Sequence, residues 1–277
     1  PTPSGVGVYS TELLRRLPTL APDWHWRLLF QSEIPCRNVM QACRLAERGN
    51  VTTEILPYGV FSPEGQVRLP NRLNALAPDL YFTANYMMPY RAFPRPRRGK
   101  EIRCVATIHD VIPLLLKKHA PRSRKSRMLP LFRWCLRQSI RRADKVLTVS
   151  EASRRDMIRS LKLPAAQSAR IRVVYNGVDE RFHPLDTPAP GATSTLLYVG
   201  RLDPYKNVVT LIRAFDILRR QQGGNLQLLI VGPEDQRYPE ARRMVSALGL
   251  EASVSFLGFL ENEDLAAAYR EATLVVN

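Results

Sequence analysis

The sequence lacks the features that secreted, zinc-binding and membrane-spanning proteins need. Its 277 residues include four cysteines, none in a C-x-x-C pair: Cys36, Cys43, Cys104 and Cys135. This spacing matches no disulfide framework and no zinc motif, so we expect reduced core thiols in a cytoplasmic protein that holds no metal. The chain has no run of about eighteen apolar residues, so we expect any association with a membrane to be peripheral.

The sequence also lacks an initiating methionine, and no apolar strand precedes its first predicted helix. A parallel α/β domain begins with such a strand. At the other end, the sequence finishes with LVVN, within a predicted buried strand. We therefore expect a fragment that is truncated at both ends.

Acidic residues are scarce in the first half of the chain only. Residues 1–150 hold 25 Lys and Arg against 10 Asp and Glu, whereas residues 151–277 hold 16 against 15. In the basic half, Arg133, Arg137 and Arg141 follow one another at four-residue steps, which predicts a basic stripe along a helix. The opposite face is apolar: Met128, Phe132, Leu136, Ile140 and Ala143. The stripe is a solvated face over a core, a contact with an anionic membrane surface on the acceptor side, or, least favoured, a contact with nucleic acid.

Strand-like apolar runs alternate with amphipathic helical patterns along the whole chain. Examples of the strands are Trp26–Phe30, Leu80–Thr83 and Leu226–Val231. This alternation predicts an α/β protein with mostly parallel sheets. The segment HPLDTPAPGATST, rich in proline, glycine and small polar residues, interrupts the pattern and predicts two domains, residues 1–184 and 185–277.

The segment LLYVGRLDPYK places two cations where a strand leads into a helix. An apolar strand ends at Gly200, Arg201 and Lys206 follow, and an amphipathic helix begins at Val208. In open α/β sheets ligands bind beyond the carboxyl ends of the strands, where helix N-termini attract anions. An arginine fork and a lysine point charge suit a diphosphate, and the alternative is that both are ordinary surface charges.

A second strand end carries His109 and Asp110, which follow an apolar run that begins at Arg103. Both residues are therefore expected at the sheet edge that borders a cleft. A histidine in this position is more often a structural hydrogen-bonding residue than a catalytic one. The residues alone leave both roles open.

Four ordered segments resemble glycosyltransferase family 4, whose members are retaining enzymes with the GT-B architecture, two Rossmann-like domains facing each other across a cleft. YVGRLDPYKNVVTLIRAF is similar to the donor-binding signature of that family. PSGVGVYSTELLRRL, TIHDVIPLL and VVYNGVDERFHP are similar to its first loop and helix, its histidine segment and the end of its first domain. The segments TIHDVIPLL and VGRLDPYKN resemble mannosyltransferase-like members of the family most. The resemblance covers nearly the whole chain.

The resemblance implies roles for particular residues. Arg201 and Lys206 would hold the diphosphate of a nucleotide-sugar, such as GDP-mannose or a UDP-sugar, with no cofactor or metal. His109 would lie by the donor sugar, with Asp110 as its neighbour. Gly200 and Gly232 would border the donor.

Gly5 and Gly7 are weaker candidates for the donor site. The resemblance implies that their backbones approach the phosphates or the acceptor, and the alternative is a tight turn. Ser10 stands where the dinucleotide-binding fingerprint requires a third glycine.

The leading hypothesis is a retaining hexosyltransferase that transfers a sugar to a glycan or to a lipid-linked acceptor at the inner face of the cell membrane. One alternative is a basic nucleic-acid-binding protein. Another is a fragment that binds nucleotide without turnover, because the family's donor-contacting glutamates would lie beyond its end. Nucleotide-sugar epimerases of the same architecture match the motifs less well.

Overall fold

A computed structural model describes residues 4–95, 102–116, 128–183, 194–222 and 225–277. These residues form two units: the first unit comprises the described residues up to Leu115 and Met128–Asn176, and the second unit comprises Leu116 and the described residues from Gly177 onward. The boundary predicted between residues 184 and 185 lies outside the described residues. The assignment of acceptor and donor roles to the two domains stays a prediction.

The first unit alternates strands and helices. Its strands are β1 (Trp26–Phe30), β2 (Val51–Ile55), β3 (Leu80–Thr83), β4 (Arg103–Thr107), β5 (Lys145–Thr148) and β6 (Ile171–Val173). Its helices are α1 (Gly5–Leu20), α2 (Glu33–Ala42), α3 (Pro63–Leu76), α4 (Ile112–Leu115), α5 (Leu129–Arg142), α6 (Glu151–Leu161) and α7 (Ala165–Ser168). A short 3-10 turn covers Tyr90–Ala92.

The strands of the first unit form two parallel sheets. β1 pairs with β2, and a four-stranded sheet has the order β3-β4-β5-β6. The residue opposite Thr83 of β3 is Ala106 of β4, so these strands end side by side. That register places the segments after β3 and after β4 together.

The second unit has a four-stranded parallel sheet with the order β10-β7-β8-β9. Its strands are β7 (Ser194–Val199), β8 (Leu226–Val231), β9 (Val254–Gly258) and β10 (Leu274–Val276). Its helices are α8 (Val208–Gln222), α9 (Glu240–Ala247) and α10 (Asn262–Glu271), and a 3-10 turn covers Pro204–Lys206. The parallel sheets confirm the predicted α/β class.

Apolar side chains cover both faces of the second sheet. Alternate residues of β7 point to opposite sides, so Tyr198 packs in the cluster that includes Phe215 of α8, whereas Leu197 packs with Ala268 of α10. Helices on both faces are characteristic of doubly wound domains. The predicted apolar face of α8 is confirmed, since Val208, Ile212 and Phe215 are buried.

The apolar face predicted for α5 holds only in part. The same is true of α1, for which the helical spacing of five residues predicts a buried face: Val6, Tyr9, Leu13, Leu17 and Leu20. On α5, Leu136 and Ile140 are fully buried, but Met128 precedes the first turn and is 51% exposed. On α1, Leu20 is 77% exposed because it is the last residue of the helix. Both errors fall at helix ends, where the chain leaves the packed surface.

Three of the four cysteines are buried free thiols, and Cys36 is half-buried. No helix in the described part of the chain is both long and apolar enough to cross a bilayer.

Candidate functional site

The segment between β7 and α8 lies at the carboxyl edge of the second sheet. β7 ends at Val199, and α8 begins at Val208 directly after Lys206 and Asn207. Asn207 has a left-handed backbone (φ 54°) that reverses the chain into the helix. The predicted strand-to-helix placement of Arg201 and Lys206 is therefore what the structure shows.

Arg201 is held by carboxylates that the sequence analysis did not single out. Its Nε donates to Oδ2 of Asp203 at 2.5 Å, and its Nη2 lies 3.9 Å from Oδ2 of Asp235. The Asp203 side chain is buried, whereas the Arg201 side chain stays 56% exposed. The hydrogen bond with Asp203 raises the pKa of Arg201. A buried carboxylate thus orients an accessible guanidinium.

Tyr198 also stabilises the loop that contains Arg201. Its hydroxyl donates to the carbonyl oxygen of Arg201 at 2.8 Å, and its ring is buried. Burial raises the pKa of Tyr198 to about 12, so the hydroxyl remains a neutral donor. A Cβ at Gly200 would meet this hydroxyl at 2.8 Å, which explains a glycine there.

Gly232 follows β8 and packs directly against Gly200. Its φ of +150° and the position of the Gly200 carbonyl leave no room for a Cβ atom. Gly200 donates to Val231 O at 2.9 Å, and Gly232 donates to Gly258 O at 2.7 Å. Close backbone packing along the sheet edge therefore accounts for Gly200 and Gly232, and their contact with a donor stays a prediction.

Lys206 differs from Arg201 in its surroundings. Its side chain is exposed, and its Nζ lies 5.5 Å from the centre of the Tyr205 ring. Within the described ranges, no carboxylate lies within ion-pair distance of Lys206. Lys206 precedes the N-terminus of α8 by two residues, and the dipole at that end of a helix also attracts anions.

In the first unit, His109 lies between the ends of β3 and β4 and helix α1. Its Nε2 is 3.1 Å from the carbonyl oxygen of Ala84, and its ring meets the Tyr9 ring edge to face, with centres 4.7 Å apart. Because a carbonyl oxygen only accepts, Nε2 is the donor in this contact. The sequence analysis missed Tyr9, which it assigned to a buried helical face.

Asp110 has a local structural partner. Its Oδ1 accepts from the backbone N–H of Ile112 at 3.0 Å, at the start of the one-turn helix α4. The carboxylate is exposed, so it also remains accessible from solvent. A catalytic role for His109 and Asp110 stays a prediction.

Gly5 and Gly7 do not form the loop that the sequence predicts. Both lie in the first turn of α1, which begins at Gly5. The physical reason is the N-cap: Ser4 Oγ accepts from the N–H of Gly7 at 3.1 Å, which starts the helix earlier than the glycines suggest. Any approach of a phosphate to these residues would be to a helix N-terminus.

The basic stripe of α5 is partly engaged in packing. Arg133 donates to Ser160 O at 3.3 Å and Arg137 donates to Leu161 O at 3.0 Å. These carbonyls belong to the last turn of α6, where cations are favourable. Of the three predicted residues, Arg141 has an exposed side chain that makes no such bond among the described residues. The stripe is therefore more than the solvated face that the sequence favoured.

Within the residues that the structure describes, no three His, Cys, Asp or Glu side chains are grouped as a metal site would require. Metal independence of any reaction stays a prediction.

Two family models together match the chain from residue 3 to its last residue. "Glycosyltransferase Family 4" matches residues 3–182, and "Glycosyl transferases group 1" matches residues 180–277. The chain belongs to glycosyltransferase family 4. The predicted family is thus confirmed on both halves of the chain.

Curated relatives of this family 4 chain include bacterial sugar transferases. It is 28% identical over 183 residues to alpha-D-kanosaminyltransferase of Streptomyces kanamyceticus, covering 60% of this chain and 46% of that protein. It is 22% identical to O-antigen chain mannosyltransferase B of Escherichia coli, covering 99% of this chain and 72% of that protein. The chain therefore spans about half of the first relative and most of the second.

Solved structures show the same fold. HepE of Anabaena, solved in complex with UDP and glucose, superposes with a TM-score of 0.66 at 17% identity, covering 99% of this chain and 70% of that one. Sucrose-phosphate synthase from Thermosynechococcus elongatus gives a TM-score of 0.66 at 19% identity, covering 98% and 69%. The family 4 chain thus has the predicted GT-B fold class.

Proposed function

We propose that this chain belongs to a retaining hexosyltransferase, which moves a hexose such as mannose from a nucleoside-diphosphate-sugar to a glycan or lipid-linked acceptor. Family membership supports glycosyl transfer. The similarity to an O-antigen mannosyltransferase supports mannose and a glycan acceptor. The UDP and glucose in the HepE structure support a nucleotide-sugar donor.

The observation that carries the proposal is the accessible Arg201 guanidinium, which buried Asp203 orients in the same strand-to-helix segment that holds Lys206. Breaking a sugar–diphosphate bond places negative charge on the leaving phosphates. Cations that are already in position stabilise that charge without reorganising during the reaction. Arg201 and Lys206 therefore take the role that metal ions have in other transferases, and the proposed reaction is metal-independent.

We also propose that His109 of the first unit contacts the donor sugar. The bond from Nε2 to the Ala84 carbonyl and the Tyr9 ring fix the plane of the imidazole. With the ring fixed, Nδ1 is the nitrogen that can accept a proton, or a hydrogen bond from a sugar hydroxyl. Asp110, the next residue, would supply negative charge that stabilises the positive, oxocarbenium-like charge developing on the sugar.

The deciding experiment is calorimetric titration of UDP and GDP, without added metal, into the wild type and into Arg201→Ala/Lys206→Ala. We expect micromolar binding of one nucleotide and a loss of at least a hundredfold in the double variant, because two charge-assisted contacts disappear. The matched control is Arg213→Ala/Arg243→Ala, which removes two exposed charges from the same unit and should bind as the wild type does.

Other outcomes of the titration are equally informative. If neither nucleotide binds the wild type, the donor site is wrong, and binding of nucleic acid that weakens steeply with salt would then favour the alternative. Binding of nucleotide without transfer of labelled sugar to a glycan extract would favour the non-catalytic fragment.

We also infer that the exposed face of α5 contacts an anionic membrane surface at the inner face of the cell membrane. Leu131 and Trp134 are about half exposed beside the stripe that includes Arg141. Apolar and aromatic side chains beside arginines are typical of helices that bind the interface. Arg141→Gln should reduce flotation with phosphatidylglycerol vesicles severalfold, and Arg155→Gln on α6 should not. Equal flotation of both variants would remove the membrane from the proposal.

A further inference from the structure

A cavity of about 410 Å³ lies in the first unit, between α1 and the end of α2. Its lining residues are Arg15, Ala42, Cys43, Arg44 and Arg48. Three of these five are arginines and none is acidic. The cavity precedes the amino end of β2, whereas His109 follows the carboxyl end of β4. It is therefore a different surface from the strand ends described above.

The backbone conformation at Arg44, on the wall of the cavity, is unfavourable for an arginine. Arg44 donates its N–H to Gln41 O and Leu45 donates to Met40 O, and Arg44 has a φ of 51°. This is the Schellman ending of a helix, in which the left-handed position is usually glycine. Arg44 therefore occupies a conformation that disfavours it, with its side chain on the wall of the cavity.

The three arginines differ in their partners. Arg15 lies 3.3 Å from Oε1 of Glu12 and donates to Ala42 O at 3.4 Å. For the side chains of Arg44 and Arg48, no ion pair occurs among the residues described by the structure. The Nε atom of Arg48 is also buried without a hydrogen-bond acceptor.

A buried cationic donor that lacks an acceptor is unfavourable, because it has lost water and gained nothing in return. The adjoining Cys43 cannot supply negative charge readily: burial raises the pKa of its thiol, and its Sγ lies 3.4 Å from Thr11 O. The cavity therefore offers positive charge from Arg44 and Arg48, and a buried donor, the Nε of Arg48, that has no acceptor among the described residues.

We propose that this cavity binds a small molecule through a phosphate monoester group. Two unpaired guanidinium groups and a third beside them match a dianion better than a single carboxylate, since each fork can take two oxygens. A volume of about 410 Å³ exceeds what one phosphate needs and lies within the range of ligand pockets. The phosphate contacts Arg44 and Arg48, and the rest of the molecule occupies the remaining space.

The test is calorimetric titration of inorganic phosphate and glucose 1-phosphate in buffer free of phosphate and sulfate. The Arg201→Ala/Lys206→Ala protein is used throughout, so that binding at the proposed donor site does not contribute. We expect saturable one-site binding that weakens at least tenfold in Arg44→Gly and in Arg48→Gln. Arg37→Gln, which removes an exposed charge from α2 outside the cavity, should leave the affinity unchanged.

Arg44→Gly separates binding from folding. Glycine suits the left-handed backbone, so this variant should melt at a higher temperature than its parent while losing the stabilisation that phosphate provides. It carries the test even if Arg48→Gln fails to fold. Absence of binding by the parent, or equal binding by Arg44→Gly and Arg37→Gln, would overturn the site.

A further arm identifies the source of the phosphate. Flotation with phosphatidylcholine vesicles that contain phosphatidic acid presents the same monoester on a lipid. If the protein floats with these vesicles and Arg44→Gly abolishes flotation, the site is assigned to a lipid headgroup. If the protein binds the soluble phosphates but does not float, the site is assigned to a soluble metabolite. Failure of both arms contradicts the proposal and leaves the donor site untouched.

Discussion

In the second unit, Arg201 is held by the carboxylate of Asp203, and the neighbouring backbone is packed glycine against glycine. In the first unit, His109 contacts the Ala84 carbonyl and meets the Tyr9 ring edge to face. Within the described ranges, no carboxylate lies within ion-pair distance of His109. After β7 a charged carboxylate therefore positions the charged Arg201, whereas after β4 neutral groups position His109.

The difference shows how each group stays available to a ligand. A guanidinium is always charged, so a carboxylate can orient it without changing its protonation, although the carboxylate also competes with an anionic ligand. An imidazole changes its protonation readily, and a neutral carbonyl partner selects one nitrogen as the donor. The arrangement around Arg201 suits binding of an anion, and the arrangement around His109 suits transfer of a proton or a hydrogen bond to a hydroxyl group.

The largest effect is expected from breaking the glycine packing. In Gly232→Ala, the new methyl group would overlap the Gly200 backbone at a φ that favours glycine, so we expect a loss of about 3 kcal/mol of unfolding free energy. All three tryptophans, Trp24, Trp26 and Trp134, lie in the first unit. Urea unfolding should therefore be followed by far-ultraviolet circular dichroism, with tryptophan fluorescence as the readout of the first unit.

The matched control is Gly258→Ala. Gly258 also has a positive φ, +68°, but its Cβ position is open. The expected cost is about 1 kcal/mol, from backbone strain alone. If the two variants lose equal stability, the close approach between Gly232 and Gly200 does not constrain the edge.

A smaller effect should follow from removing the charge that orients Arg201. Asp203→Asn keeps the shape but weakens the bond to Nε, so we expect affinity for the nucleoside diphosphate to fall about tenfold, or about 1.4 kcal/mol. Calorimetric titration of the nucleoside diphosphate into Asp203→Asn and into the wild type measures this change in affinity.

Asp235→Asn is the control for charge without orientation, because Asp235 lies 3.9 Å from Arg201 and is not hydrogen-bonded to it. We expect less than about a threefold change in affinity. Tighter binding in Asp203→Asn than in the wild type would show that the carboxylate competes with the ligand more than it orients the arginine.

Much of the fold follows from local patterns. The strands Trp26–Phe30, Leu80–Thr83 and Leu226–Val231 occur where the apolar runs predict them. β2 was missed because its sequence, VTTEI, has apolar residues only at its two ends. The start of α1 was misplaced because the effect of the Ser4 cap outweighed the turn preference of Gly5 and Gly7.

The candidate sites were predictable to a lesser extent. Arg201, Lys206 and His109 could be found because each stands next to an apolar strand, and strand ends of a parallel sheet share one edge. Asp203 is close to Arg201 in sequence, yet its burial could not be read from a loop of mixed composition. Tyr9 was read as one more residue on an apolar helix face, although it contacts His109 a hundred positions away.

The sequence by itself determined the order of strands and helices and the placement of two cations between β7 and α8, because backbone hydrogen bonds and apolar periodicity act over a few neighbouring residues. Only the tertiary structure decided which charges are neutralised. Arg133 meets the last turn of α6 through a contact between residues 27 positions apart, while Arg44 and Arg48 face a cavity. Both outcomes depend on how the helices pack, since the energy of a charge depends on its distance to other groups in space.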